Sequence, residues 1–221
     1  MGDTSALSRN VAQPHTAYSF AMDIRAAAAE DVDAVTETIT LAFRDDPIWS
    51  VALERPDGKA EHTRRFWELY VEGALRHSTV FMADDASTVA VWLPPGATDL
   101  SEEQQNEVDD LIAASLSPER AHAYDELWER FETIHPESPP HMYLSLLATH
   151  PLYRGRGIGQ QLLAANLAEF DAQGLPAYLE STNPANDHRY ERAGFRPVGR
   201  IQAVLNDATA TTMWRDVGGA S

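Results

Sequence analysis

Two periods of hydrophobic spacing alternate along the chain, and together they predict an α/β fold. Val32, Val35, Ile39 and Ala42-Phe43 recur at helical spacing, in a helix that ends near Asp46-Pro47 because proline disfavours helical geometry in the residue before it. A second helix runs from Glu61 to Leu75, with Phe66, Leu69, Tyr70 and Gly73-Ala74 on one face. Ala21 to Ala27 reads as a first strand. Thr79–Ala83 and Thr88–Leu93 read as a hairpin around Asp84-Asp85-Ala86-Ser87, a turn without the usual Asn-Gly. Pro94-Pro95-Gly96 breaks the pattern. Ser101–Leu116 and Pro118–Ile134 follow as two acidic helices, the second with Ser117 as N-cap and proline at its first position. His135 to Pro140 contains three prolines and returns the chain to the sheet.

The signals sharpen from His141 onward. Met142–Thr149 is an apolar strand, His150–Gly157 a Gly/Arg loop, Ile158–Gln173 an amphipathic helix and Ala177–Glu180 a short strand. Asn183–Ala193 reads as a further helix, closed by Gly194 as a left-handed cap. Arg196–Val204 and Thr211–Val217 are the final strands, on either side of a turn at Asn206-Asp207. This pattern gives one α/β domain over residues 21–217 with a helical insertion at 101–134, preceded by a polar arm at 1–20 that has no packing pattern.

Composition narrows the function classes. A net charge of -17 repels phosphate backbones, so nucleic acid is not an expected partner, and it attracts cations. No apolar run approaches the roughly 20 residues that a membrane span needs. Met1 to Tyr18 lacks the basic and apolar regions of a secretory signal. The absence of cysteine removes thiolate ligands and a cysteine nucleophile, and a cytoplasmic location is expected. His135, His141 and His150 have no compact metal-ligand spacing, so no metal is expected.

The chemistry concentrates in Arg154-Gly155-Arg156-Gly157-Ile158-Gly159, between a strand and a helix. Free backbone N–H groups and the helix dipole favour an anion there, and glycine lets the backbone approach it closely. A Walker A loop needs a Gly-Lys-Ser/Thr that this loop lacks. A dinucleotide fingerprint gains some support from Glu180, about 20 residues on, but the glycines are spaced G-x-G-x-G and no second βαβ half is visible.

At these residues the chain resembles the GNAT superfamily, whose cofactor loop reads Arg/Gln-x-x-Gly-x-Gly/Ala. Asn183 to Phe195, with Tyr190-Glu191-Arg192-Ala193-Gly194-Phe195 at its end, resembles the second signature of that superfamily. Within it, Val89-Ala90-Val91-Trp92, Tyr178-Leu179-Glu180-Ser181 and Tyr190-Glu191-Arg192 are similar to the puromycin N-acetyltransferase group of actinobacteria. The resemblance implies a mixed, twisted sheet that splays at the Met142 strand, acetyl-CoA as donor and a small-molecule amine, such as an antibiotic, as acceptor. It implies that Leu147, Ala148 and Thr149 pair through their backbone with pantetheine, and that Arg154, Gly155, Arg156, Gly157, Ile158 and Gly159 hold the pyrophosphate. Asn183 or Asn186 would bond the pantetheine arm or a water, and Tyr190 would protonate the departing thiolate. Thr149-His150-Pro151 departs from the family's Val-x-Pro. A homodimer is a family-level expectation.

An ammonium must lose a proton before it attacks a thioester, and Glu180 at a strand end is the first candidate for that base. A structural acid that pairs with an arginine or caps the Asn183 helix is the other reading of the same residue. Tyr190 has a bland reading too, as an aromatic that anchors its helix. Asp45-Asp46 reads as a solvated helix end before it reads as an ammonium contact, and Trp49, Phe66, Trp67 and Tyr70 read as core before acceptor pocket. Other functions that fit the sequence are a non-catalytic acyl-CoA-binding module and transfer to a protein or peptide amine.

Overall fold

A computed structural model describes residues 22–219. Strands β1 (Ile24–Ala26), β2 (Val80–Ala83), β3 (Thr88–Leu93), β4 (Met142–Thr149), β5 (Ala177–Ser181), β6 (Arg196–Gln202) and β7 (Thr209–Arg215) form one sheet in the order β1-β2-β3-β4-β5-β7-β6. Every pairing is antiparallel except that of β4 with β5. The α/β expectation with a mixed sheet therefore holds. The 1–20 arm lies outside the described residues.

One face of the sheet carries helices α1 (Val32–Phe43), α2 (Trp49–Ala52), α3 (Glu61–Leu75), α4 (Glu102–Ser115) and α5 (Pro118–Ile134), and the other carries α6 (Ile158–Ala172) and the short α7 (Asp187–Arg192). Period-2 alternation on β3 feeds both cores. Val89, Val91 and Leu93 pack on the α1 side, while Ala90 and Trp92 pack on the α6 side, where the Trp92 indole N–H donates to Asn166 Oδ1 at 3.0 Å. The α4 and α5 starts follow their sequence signals. Ser101 makes a capping box with Gln104, and Ser117 accepts from the Arg120 N–H with Pro118 behind it.

β4 contains the feature that shapes the site. Its register against β3 jumps from Val91↔Leu146 to Trp92↔Leu144, which leaves Ser145 as a bulge. The extra residue reverses the faces. Met142 and Leu144 pack in the α6 core, whereas Leu146 and Ala148 pack in the α1 core. Four even-numbered residues that look like one stripe in the sequence thus serve two cores.

Two expectations need correction, and a third holds by an unusual route. Asn183–Ala193 is not one helix, because Pro184–Asn186 forms a 3-10 turn before α7, with Asn183 Oδ1 capping it through the Ala185 N–H at 3.1 Å. The expected hairpin turn at 84–87 does form, and it closes without glycine by holding Asp84, Asp85 and Ala86 at positive φ. Asp46 is not a solvated helix end, for it is buried and caps α2 by accepting from the Ile48 and Trp49 N–H groups, both at 3.0 Å.

Candidate active site

Parallel pairing of β4 with β5 lasts only for Met142↔Ala177, Tyr143↔Tyr178 and Leu144↔Leu179. The bulge at Ser145 bends β4 away, so from Ser145 to Thr149 its edge facing β5 has no strand partner. A cleft of about 580 Å³ opens at this splay, between the α1 end and α2 on one side and the β5 end and α7 on the other.

One end of the cleft is the Gly/Arg loop. After β4 the chain makes a 3-10 turn at Pro151–Tyr153, then passes through Gly155 and Gly157 at φ 78 and 76, with Gly157 as N-cap of α6. Only glycine takes that conformation without strain. The α6 ladder begins with Gln160 and Gln161 donating to the Gly157 carbonyl, so the five N–H groups from Gly155 to Gly159 have no acceptor among the described residues. A Cβ added at Gly155 or Gly157 would meet open space, as at a cradle whose occupant is not protein. Unpaired N–H groups and the α6 dipole favour an anion at this end, and Arg154, Arg189 and Arg192 line the same cleft. The residues present fit a CoA pyrophosphate.

The middle of the cleft is walled by Tyr190, Asn183 and Asn186. The half-buried Tyr190 ring packs edge-on against Phe195 at 6.2 Å, and its hydroxyl has no hydrogen-bond partner among the described residues. Burial first, then the Asp46 and Asp187 charges, push that phenol well above its usual range and keep its proton in place. Thr182 donates to Asp46 Oδ2 at 2.6 Å, which ties the β5 exit to the α2 cap. Burial raises the Asp46 carboxyl, against the three hydrogen bonds that lower it.

Ser145 and Glu180 line the other end, and Asp99 and His135 lie next to them outside the cleft lining. Tyr178 and Glu180, two residues apart on β5, point to the α5 side of the sheet. The Glu180 side chain is 2% exposed, and its Oε1 lacks a hydrogen-bond partner. Facing it at 3.6 Å is His135 Nδ1, from the C-cap of α5. Beneath the Ser145 bulge lies Asp99, which accepts from Ser145 Oγ at 2.8 Å. Burial pushes this carboxyl up to about 6, with the Glu180 charge adding to the rise and the Ser145 hydrogen bond and His135 opposing it. Burial and then the Glu180 charge also raise the Tyr143 and Tyr178 phenols.

Most of the residues singled out from sequence converge here. Leu147, Thr149, Arg154, Gly155, Gly157, Ile158, Gly159, Glu180, Asn183, Asn186 and Tyr190 all line the cleft. Ala148 turns its methyl into the α1 core, so only its backbone reaches the open edge. Arg156 leans away from the cleft, over the Tyr153 ring at 5.1 Å, and donates to the Leu152 carbonyl. Trp49 lines the cleft and touches Trp128 and Phe131 of α5, at 5.3 and 6.0 Å, whereas Phe66, Trp67 and Tyr70 are core. Sequence reasoning missed Asp99, Ser145 and the pairing of His135 with Glu180. Only the polarity of Ser145 within an otherwise apolar strand hinted at one of them.

Comparison with known proteins bears on the fold and on one stretch of the chain. The model of the Acetyltransferase (GNAT) family matches residues 113–195. The fold is similar to that of a Corynebacterium glutamicum protein described as histone acetyltransferase HPA2 and related acetyltransferase, with a TM-score of 0.67 at 23% identity over 89% of this chain and 96% of that one. It is also similar to arylalkylamine N-acetyltransferase 2 of Aedes aegypti, with a TM-score of 0.64 at 16% identity over 89% and 99% of the two chains. An agmatine N-acetyltransferase mutant in its apo form gives 0.63 at 14% identity, over 88% and 99%. The described chain thus has the GNAT fold, and its stretch 113–195, which holds the Gly/Arg loop, Glu180 and Tyr190, carries the match to the acetyltransferase family of that name.

Proposed function

We propose that this protein is an acetyl-CoA-dependent N-acetyltransferase that acts on a small amine by direct transfer within a ternary complex. One observation carries the reading: a single cleft at the β4/β5 splay has an anion cradle of free N–H groups at one end and a buried, unpartnered carboxylate oxygen at the other. Acetyl-CoA, when bound, supplies the acetyl group as a thioester. The Gly155–Gly159 N–H groups donate to its pyrophosphate beside Arg154, and the open β4 edge at Leu147, Ala148 and Thr149 offers backbone partners to the pantetheine amides. Asn183 and Asn186 spend their side-chain carbonyls on Ala185 and Arg189, which leaves their NH₂ groups as donors toward the cleft. The Glu180 carboxylate takes the proton of the acceptor ammonium, and the Tyr190 hydroxyl holds the proton that the thiolate needs. Without cysteine, no thiol can carry the acetyl group in between.

The acceptor end supports a small, cationic amine with an apolar body. Asp45, Asp46 and Glu180 set its charge, Phe43 and Trp49 its apolar wall, and α5 closes over Trp49. Structural neighbours named for arylalkylamine and agmatine acetylation are of the same substrate kind. Amine-bearing antibiotics stay in view through the resemblance to the puromycin group. A cytoplasmic setting, exclusion of nucleic acid by the negative field and a homodimer belong to the same proposal.

The test is thiol release from acetyl-CoA with a panel of arylalkylamines, polyamines, amino-bearing antibiotics and peptide amines. The proposal predicts amine-dependent release, highest with a small cationic amine. Release with peptides alone moves the acceptor to protein, and binding of acetyl-CoA without release for any amine leaves a non-catalytic acyl-CoA module.

A further inference from the structure

The hydrogen-bond directions around His135 fix where protons can sit. The Pro139 carbonyl is only an acceptor, so His141 Nδ1, at 2.8 Å from it, carries a hydrogen. Burial lowers the His141 basicity, against the rise from the Pro139 hydrogen bond, and so favours the neutral ring with a lone pair on Nε2. That lone pair faces His135 Nε2 at 3.3 Å, so His135 Nε2 is the donor of the pair. A neutral His135 therefore turns the lone pair of Nδ1 toward Glu180 Oε1, 3.6 Å away, which is buried and has only the neutral Tyr143 and Tyr178 phenols as other neighbours that could donate to it. Two acceptors face each other with nothing between them. One proton resolves the conflict, whichever atom holds it.

We infer that His135 and Glu180 form a single proton-holding unit, oriented by His141 and the Pro139 carbonyl, in which His135 relieves Glu180 of the proton taken from the acceptor amine. The inference rests on the proposed transfer reaction for its use, but its proton inventory comes from the geometry alone. In the step, the O–H bond on the Glu180 carboxyl breaks and an N–H bond forms on His135 Nδ1; that same Nδ1–H bond then breaks as the imidazolium gives the proton to water, which restores the Nε2–H tautomer bonded to His141. His135 is suited to that last step because a third of its side chain is exposed (34%), whereas that of Glu180 is almost wholly buried. The distance of 3.6 Å is an ion-pair distance, and the proton crosses when the two groups close to hydrogen-bond range. His135 is thus a positioning residue that acts through Glu180. It also gives the 101–134 helices a task, since the C-terminus of α5 places this ring over β4 and β5.

A protonated unit cannot accept the proton of the ammonium, so turnover rises as pH rises and the extra proton is lost. The groups facing His135 are His141 and Tyr143 from the β4 side and Tyr178 and Glu180 from β5, with Asp99 within electrostatic reach. Both phenols are raised, and so stay neutral throughout. Asp99, held at about 6, is a rival source of an acidic limb, and Glu180 by itself supplies one whose position His135 sets.

Histidine ¹⁵N NMR on the whole chain, wild type and Glu180→Gln, tests the proton inventory without any substrate. The expected result is His141 as the Nδ1–H tautomer, and a His135 titration that moves to lower pH when the carboxylate becomes an amide. His141 as the Nε2–H tautomer, or a His135 titration unmoved in Glu180→Gln, overturns the inference. The pH profile of kcat for wild type, His135→Gln and Asp99→Asn, each checked for acetyl-CoA affinity, tests the relay. The acidic limb should move in His135→Gln and stay in place in Asp99→Asn, with affinity unchanged in both. A limb at an unchanged pH in His135→Gln, or one that vanishes in Asp99→Asn, overturns the relay. A chain that turns over no amine fails the transfer reading and leaves the NMR result to decide the proton unit.

Discussion

Tyr190→Phe removes one oxygen and leaves the ring where it is. The structure sets the expected size of the stability effect, because the hydroxyl has no hydrogen-bond partner among the described residues and the ring keeps its edge-on packing on Phe195 at 6.2 Å. No buried hydrogen bond is broken, so the usual loss of about 1 kcal/mol does not apply, and the change should stay within about 0.5 kcal/mol. For a domain of this size that is roughly 1–2 °C in melting temperature. Turnover should respond very differently. Burial and the Asp46 and Asp187 charges keep the proton on the phenol, as a donor to the thiolate requires, and loss of a positioned acid lowers the rate by roughly 10²–10⁴-fold, or about 3–5 kcal/mol of barrier. The assay is single-turnover thiol release at saturating acetyl-CoA, with calorimetric affinity and thermal melting measured on the same samples. Turnover within twofold of wild type, with chemistry shown to limit the rate, refutes the acid role and returns Tyr190 to a packing residue.

Two further outcomes follow from close packing and burial. In Gly159→Ala the new Cβ would lie 2.8 Å from Thr149 Oγ1, itself 3.1 Å from Thr88 Oγ1, so urea denaturation should show a loss of about 1–3 kcal/mol that Thr149→Ala largely restores. Asp99, raised to about 6 from the ordinary 3.8, holds a proton in the native state that the unfolded chain gives up. Its contribution is complete below pH 3.8 and lost as pH rises through 6, on the order of 3 kcal/mol. Asp99→Asn should remove that decline and be more stable than wild type at pH 8. Denaturation curves with the same pH dependence for both proteins would contradict the burial argument.

Local signals made much of the fold legible. Glu61–Leu75, Thr88–Leu93, Pro118–Ile134 and Met142–Thr149 stand where periodicity, Ser117 and Pro118 place them, because in each the local preference and the burial pattern agree. The anion cradle was legible for the same reason, since its glycines, the following helix and its arginines are contiguous. The acceptor end was not. Asp99 comes from the loop before α4, His135 from the end of α5 and Glu180 from β5, and they meet only because α4 and α5 fold back over the sheet. The Ser145 bulge is invisible to a period-2 count, which sees an unbroken strand where the faces in fact exchange. Asp46 looked like a helix end open to solvent because its partners, Thr182 and the α2 N–H groups, are set by tertiary contact and by a helix of only four residues.

The central claim is that the 154–159 loop grips acetyl-CoA at the β4/β5 splay. Titration calorimetry of wild type and Gly157→Asp with acetyl-CoA tests it most directly, because Gly157 sits at φ 76 with open space around it, where a carboxylate would project into the cradle. The account predicts acetyl-CoA binding by wild type, no binding of NADH and loss of acetyl-CoA affinity in a Gly157→Asp protein that melts within a few degrees of wild type. Unchanged acetyl-CoA affinity in folded Gly157→Asp, or NADH binding in place of acetyl-CoA, would contradict it.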